Sequence, residues 1–277
     1  MLQKILLAVF VVFSMTTFSF AQADIRKVDF KNFTFEPGCA GEETQKVTVK
    51  DGEFSSEKKV DDYVDRFYFK VYDFVYGDVN GDGKEDVIIS SVCNTGGTGN
   101  FTEAFVYTTK GNKPFLLTQI EGGDRAYGGL RKIEINEGVV TVEQNDVGEM
   151  GGACCPEFAV TTKLKWDGSK FNEIGTPNKR ELYPKKRVSF AKGASSTTMT
   201  VKVDEISRFV IGARAGQTLK VSVNSDKVSP SLFEGEADVT DGTTSFTAKL
   251  KQSGDFVIQL QNLDEKETEV TVTIEIN

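Results

Sequence analysis

No histidine occurs anywhere in the 277 residues. A Ser or Cys nucleophile therefore lacks its ordinary base, and no S-x-x-K motif with partner motifs offers lysine in its place. Imidazole metal ligands are equally missing. Adjacent cysteines among Cys39, Cys93, Cys154 and Cys155 match no zinc-finger spacing. Beyond the N-terminal segment no stretch is apolar enough to span a membrane. No internal repeat and no low-complexity tract is present. Positive charge is in the minority, with 33 Lys and Arg against 41 Asp and Glu and a net charge of −8. Such a balance disfavours nucleic acid and anionic membranes as partners.

The N-terminus carries an export pattern. Lys4 supplies a positive start, residues 5–13 form an apolar run, and Ala21-Gln22-Ala23 places small residues at −3 and −1. Residues 1–23 are expected to be a cleaved signal peptide, leaving a soluble periplasmic or secreted product that starts near Asp24. No Cys follows the cleavage region, so no lipid anchor is expected. Export and an even cysteine count favour disulfides, for which three pairings exist. A bond between the neighbours Cys154 and Cys155 would strain the peptide joining them. One of them is therefore expected to pair with Cys39 and the other with Cys93.

Residues 24–175 alternate short apolar runs with turn signals. The runs are 46–49, 67–74, 86–92, 103–107, 132–135, 139–143 and 158–166. Between them sit Asp51-Gly52, Gly81-Asp82-Gly83, Lys110-Gly111-Asn112, Glu137-Gly138 and Asp167-Gly168. This grammar predicts an antiparallel β-rich domain, with 57–68 as the one candidate for a short helix. Residues 176–186 (TPNKRELYPKK) have a linker composition. Residues 187–277 resume the strand pattern at 198–203, 208–213, 218–223, 244–250, 256–260 and 269–275. The spacing suggests a second domain, a small β-sandwich. The fold class is all-β, mostly antiparallel.

Within 77–86 the chain reads G-D-V-N-G-D-G-K-E-D. Asp78, Asn80 and Asp82 stand at loop positions one, three and five, with Gly83 at six. Oxygen-bearing side chains at alternate positions converge when the chain curls, and hard oxygen donors select calcium. The Lys84 carbonyl and Asp86 would complete the set. Position twelve is Ile89, so this is not an EF-hand. The loop resembles those of FG-GAP and dockerin-type modules, which implies a calcium-braced turn. The alternative is that the same residues cap a tight turn without metal. Together with 94–101 (NTGGTGNF), Gly123-Asp124-Arg125 and Cys154-Cys155-Pro156, the first domain resembles secreted bacterial domains of unassigned function. The Gly-rich stretch lacks a phosphate-binding pattern. Asp124, Asp146, Glu149 and Glu157 are the acids from which a hydrolytic pair could be drawn, but no spacing singles one out.

The segments 188–196 (VSFAKGASS), 209–223 (FVIGARAGQTLKVSV), 253–260 (SGDFVIQL) and 270–276 (VTVTIEI) are similar to the domain of periplasmic inhibitors of goose-type lysozyme. They also resemble pre-peptidase C-terminal domains. The resemblance implies a sandwich that binds a lysozyme and protects the cell wall. An inhibitor needs a loop that meets the enzyme's carboxylates. The last hairpin, 261–268 (QNLDEKET), is acidic and would be repelled by them. The turn at Arg214 and the segment 224–241 are the other candidates. Three readings follow: a non-enzymatic binding protein with a lysozyme-inhibitor-like module; an envelope module, stabilised by calcium and disulfides, that binds glycan or protein; and a hydrolase with an unrecognised acid pair.

Overall fold

The computed structural model describes residues 24–40, 46–148, 152 and 154–277. The expected signal peptide, 1–23, and Glu149 lie outside the described residues. The protein is all-β, as its sequence pattern predicts, with three short 3-10 turns near the start. Among the described residues no helix is long and apolar enough to cross a membrane. Two compact units form, one from Met1–Gln144 with Thr161–Pro177, the other from Asn145–Val160 with Asn178–Asn277.

In the first unit, β1 (Thr34–Phe35) and β2 (Val47–Thr48) make a small ladder. The main sheet joins β3 (Glu53–Val60), β4 (Tyr63–Gly77), β5 (Asp86–Asn94), β6 (Phe101–Lys110) and β7 (Lys113–Asp124) in sequence order, all antiparallel. Its central strand is buried on both faces, which explains the unbroken apolar run there. Val87, Ile89, Phe105 and Tyr107 face one core, while Ile88, Ala104 and Val106 face another. The first core is closed by the N-terminal segment. Phe30, Phe33 and Phe35 pack tilted or edge-on against Tyr107 and Phe105, with ring centroids 5.1–6.2 Å apart. Such aromatic contacts add to the area each ring buries. The second core includes residues of another sheet, built from β8 (Leu130–Asn136), β9 (Val139–Asp146), β10 (Phe158–Trp166) and β11 (Phe171–Glu173), with β12 (Asn178–Glu181) also on β10.

Two expectations are corrected here. Residues 57–68 are no helix. Val60 pairs with Tyr63 across a turn at Asp61, whose φ is 50°, and Glu57 meets Arg66 across the hairpin at 2.9 Å. The cysteine pairing also differs. Cys39, on the 3-10 turn Gly38–Ala40, bonds to Cys93, and Cys154 bonds to its neighbour Cys155. Cys93 is 2% exposed in the first unit's core, against which Cys39 packs. Cys154 and Cys155 are exposed and belong to the second unit. Topology, which is invisible in cysteine spacing, decides the pairing.

The second unit is a two-sheet sandwich. Its strands are β13 (Lys185–Arg187), β14 (Ser196–Val203), β15 (Ile206–Ala213), β16 (Thr218–Val223), β17 (Val228–Glu234), β18 (Ala237–Asp241), β19 (Ser245–Leu250), β20 (Gly254–Asn262) and β21 (Thr268–Ile276). One sheet runs β13-β15-β20-β17 and the other β14-β21-β16-β19-β18. Phe209, Ile211, Leu219, Phe246, Phe256, Ile258 and Ile274 fill one continuous core between them. The segment expected as a linker, 176–186, contains β12 and the start of β13, both exposed along their length. The unit also takes in 145–160, beyond the expected 187–277.

The Cys39–Cys93 bridge spans 54 positions. Replacing both residues by Ala should lower unfolding free energy by about 4 kcal/mol, chiefly through the denatured chain. Urea titration of the double variant checks this; an unchanged midpoint would show that the bridge constrains nothing.

Candidate functional site

The loop 78–86 is held by its own side chains. Asp78 accepts from Gly81 N at 2.7 Å and from Gly83 N at 2.9 Å, Asn80 Oδ1 from Asp82 N at 2.9 Å, and Asp82 from Lys84 N at 2.9 Å. Gly81 and Gly83 supply the left-handed turns, with φ of 78° and 80°. Asp86 opens β5 with no exposed surface, and its Oδ2 accepts from Val79 N at 2.9 Å and Asn80 N at 3.2 Å. The Asn80 amide turns to Thr108 Oγ1 at 3.0 Å. Burial pushes the Asp86 carboxyl above its ordinary range, against hydrogen bonds from Thr108, Val79 and Asn80. Among the described residues no group of three or more Asp, Glu, Cys or His is gathered as a metal cluster. The donors are hard oxygens, as calcium requires, and here they serve the loop's own amides.

The second unit carries a cleft of about 620 Å³, lined by Asp146, Val147, Gly148, Glu157, Phe158, Lys179, Phe233 and Glu234. Arg208 lies beneath it. Its neighbours Phe209 and Ile211 behave as strand alternation demands: Phe209 and Ile211 point into the sandwich core, so Arg208 points to the outer face of its sheet. It is nevertheless only 4% exposed. Glu157 receives both terminal nitrogens, Nη1 to Oε2 at 2.5 Å and Nη2 to Oε1 at 3.0 Å, while Nε donates to Gln259 Oε1 at 3.0 Å. The guanidinium lies 3.7 Å from the Phe233 ring centroid and 5.5 Å from that of Tyr183. A planar, forked cation suits this bidentate and stacked setting; lysine would not.

Among the described residues, the other charges lining the cleft are also paired. Lys179 Nζ is 3.0 Å from Asp146 and 4.3 Å from the Phe158 ring centroid; Lys185 Nζ is 2.5 Å from Glu234. Gly148 N and then Lys179 hold the Asp146 carboxyl below its usual range, so it stays ionised. Of the acids named from sequence, Asp146 and Glu157 thus share this cleft as structural partners. Asp124 lies in the first unit, held by Arg125 at 3.0 Å and by Asn100 N at 2.7 Å.

A different acid pair emerges in the first unit. Glu103 and Glu121 are register partners on β6 and β7, and both line a 250 Å³ cleft with Gly38, Cys39, Phe101, Thr102 and Gly122. Burial pushes the Glu103 carboxyl up, while Gly38 N, 3.0 and 3.1 Å from its two oxygens, works against that. Neither glutamate was legible as a site, because pairing across a bulged ladder leaves no spacing signal. Arg208 left one: a cation set among the apolar residues of a strand.

The fold and cleft define an all-β protein with a two-sheet sandwich as its second unit. No family model and no curated protein matches the chain. Solved structures similar to it include PliG of Aeromonas hydrophila, a periplasmic inhibitor of g-type lysozyme, at 23% identity over 34% of this chain and 96% of that one, TM-score 0.30. A mutant of Escherichia coli PliG gives 21% identity over 34% and 97%, TM-score 0.28. Salmonella Typhimurium PliG gives 25% identity over 34% and 97%, TM-score 0.28.

Removing Glu157 leaves a buried cation without its counter-charge. Glu157→Ala should cost about 3 kcal/mol, whereas Glu157→Leu with Arg208→Met should recover most of the loss. Denaturant unfolding of the two variants reads this out, and equal destabilisation by both would refute the ion-pair account.

Proposed function

We propose that this chain is a periplasmic or secreted binding protein without catalytic activity, and that its second unit inhibits a goose-type lysozyme. The observation that carries the reading is where the lysozyme-inhibitor-like segments fall. They cover the approach to β14, most of β15, the turn after it and all of β16, and most of β20 and β21, and they supply most of one closed core. The paired charges around the cleft support a binding role, since none is left as a proton donor.

The acidic hairpin is a poor contact for a carboxylate-lined enzyme cleft. Its Asp264 is 2.6 Å from Lys227 and its Glu267 is 3.3 Å from Lys202. Arg214 suits that contact better. It is exposed on a tight turn in which its own N–H donates to Gln217 Oε1 at 2.8 Å, and Ala215 N donates to Ser253 Oγ at 2.9 Å. The turn's backbone is thereby braced against the loop that enters β20, and a preset turn is cheaper to dock than a mobile one.

The full chain should inhibit goose-type lysozyme at micromolar concentration and spare the hen type. Arg214→Glu should weaken inhibition about tenfold or more, as loss of a charge-assisted contact requires. The assay uses the whole chain, because residues 187–277 alone would leave Arg208 without Glu157. A chain that leaves both enzymes untouched would replace this reading with the envelope-binding one. The Glu103 and Glu121 pair supports the rival hydrolase reading, since a carboxyl with raised affinity for its proton opposite a second acid can serve glycoside hydrolysis. Bond cleavage by the chain without added lysozyme, abolished by Glu103→Gln, would establish that rival.

Calcium belongs to the same reading as a brace at Asp78, Asn80, Asp82, Asp86 and the Lys84 carbonyl. The alternate-position oxygens, each with lone pairs to spare, support it. Affinity is expected on the order of 0.1–1 mM. Calorimetric titration should detect binding that Asp78→Ala with Asp82→Ala removes; no heat at millimolar calcium would leave the loop as hydrogen-bonded turns alone.

A further inference from the structure

The bond between Cys154 and Cys155 holds no distant parts of the chain together. It closes a ring around a single peptide, with Cα atoms 3.8 Å apart, the spacing of any consecutive residues. The chain entropy that a bridge removes from the denatured state grows with the loop it closes, so this bond contributes least to stability of any that the chain could form. Stability therefore does not explain its presence.

Its surroundings point elsewhere. Both cysteines are exposed, whereas Cys93 of the other bridge is 2% exposed and packed in an aromatic core. The flanks are fastened independently of the sulfurs. Glu157 N donates to Asp146 O at 3.1 Å, Gly148 N donates to Asp146 Oδ1 at 2.7 Å, and the Glu157 carboxylate is bound to Arg208. Cys155 N also donates to Gly152 O at 3.0 Å, forming a turn that presents the pair. Opening the bond thus leaves its anchorage in place and keeps two thiols on adjacent residues.

We propose that Cys154–Cys155 is a thiol-exchange site, reversibly reduced by external dithiols, whose reduced form chelates soft thiophilic centres such as trivalent arsenicals. In the reduction, a thiolate of the external dithiol attacks one cysteine sulfur and displaces the other. Its second thiolate then attacks the mixed disulfide and closes the reagent's own ring. The reagent is oxidised by two electrons, and its two protons end on Cys154 and Cys155. Arsenic capture involves no redox change: two S–H bonds and the arsenic–oxygen bond are lost, two arsenic–sulfur bonds form, and water leaves. Accessible disulfides are the labile ones in exchange, and adjacency makes the dithiol bidentate.

The test uses the full oxidised chain, a dithiothreitol series, iodoacetamide trapping and peptide mass mapping. Cys154 and Cys155 should become alkylated together at about tenfold lower dithiothreitol than Cys39 and Cys93, with the thermal midpoint nearly unchanged. Phenylarsine oxide added after mild reduction should block alkylation of those two alone. Cys154→Ser should abolish arsenical protection while leaving Cys155 alkylatable, which separates chelation from misfolding. Oxidised glutathione, added after the dithiothreitol is removed, should take up the two electrons and two protons as reduced glutathione and restore the Cys154–Cys155 peptide. Opening of Cys39–Cys93 first or simultaneously, or native peptides that place Cys154 and Cys155 in separate bridges, would overturn the proposal.

Discussion

An arginine with 4% of its surface exposed has to find a carboxylate, because an unpaired buried charge costs several kcal/mol. Arg208 lies on the outer face of a sandwich sheet, where solvent would ordinarily satisfy it. The segment 145–160 supplies Glu157 in place of water, and Phe233 and Tyr183 stack around the cation. The ion pair ties residues distant in sequence to the sandwich, beside the contacts of Lys179 with Asp146 and of Leu182 N with Glu157 O. The cleft beside Arg208 and part of the anchorage beneath the exposed cysteines share this contact.

The first unit answers a different constraint. Its central strand is buried on both faces, so each face needs a covering layer. The aromatic N-terminal segment provides one and the strands from β8 onward contribute to the other. Asp86 stands where this doubly buried strand begins. Its carboxylate satisfies amides of the preceding loop, which would otherwise be orphaned beside an apolar core. The spacing that resembles a calcium loop is therefore also the spacing a hydrogen-bonded turn needs, since both gather oxygens toward the inside of a curl.

Charge pairing separates the two clefts by what they can do. Around the second unit's cleft the carboxylates of Asp146, Glu157 and Glu234 are each matched by a cation, which favours holding a ligand over moving protons. In the first unit Glu103 faces another glutamate, and desolvation keeps its proton closer. Two adjacent sulfurs add a third kind of chemistry, exposed where the other bridge is not.

The sequence by itself determined the all-β class and the central strands. Runs such as 86–92 and 269–275 are apolar because both or one of their faces are buried, and that leaves a pattern. The turns at Gly83, Gly111 and Gly216 were legible for a similar reason: positive φ selects glycine. Strands β3, β7, β11, β17 and β18 left no such trace, because each lies at the edge of its sheet, where polar residues are tolerated. Tertiary structure alone decided the Cys39–Cys93 pairing, the Glu103 and Glu121 opposition, and the attachment of Glu157 to Arg208. Each depends on which strands lie side by side, and pairing between remote segments is set by the packing of whole faces, which no local spacing records.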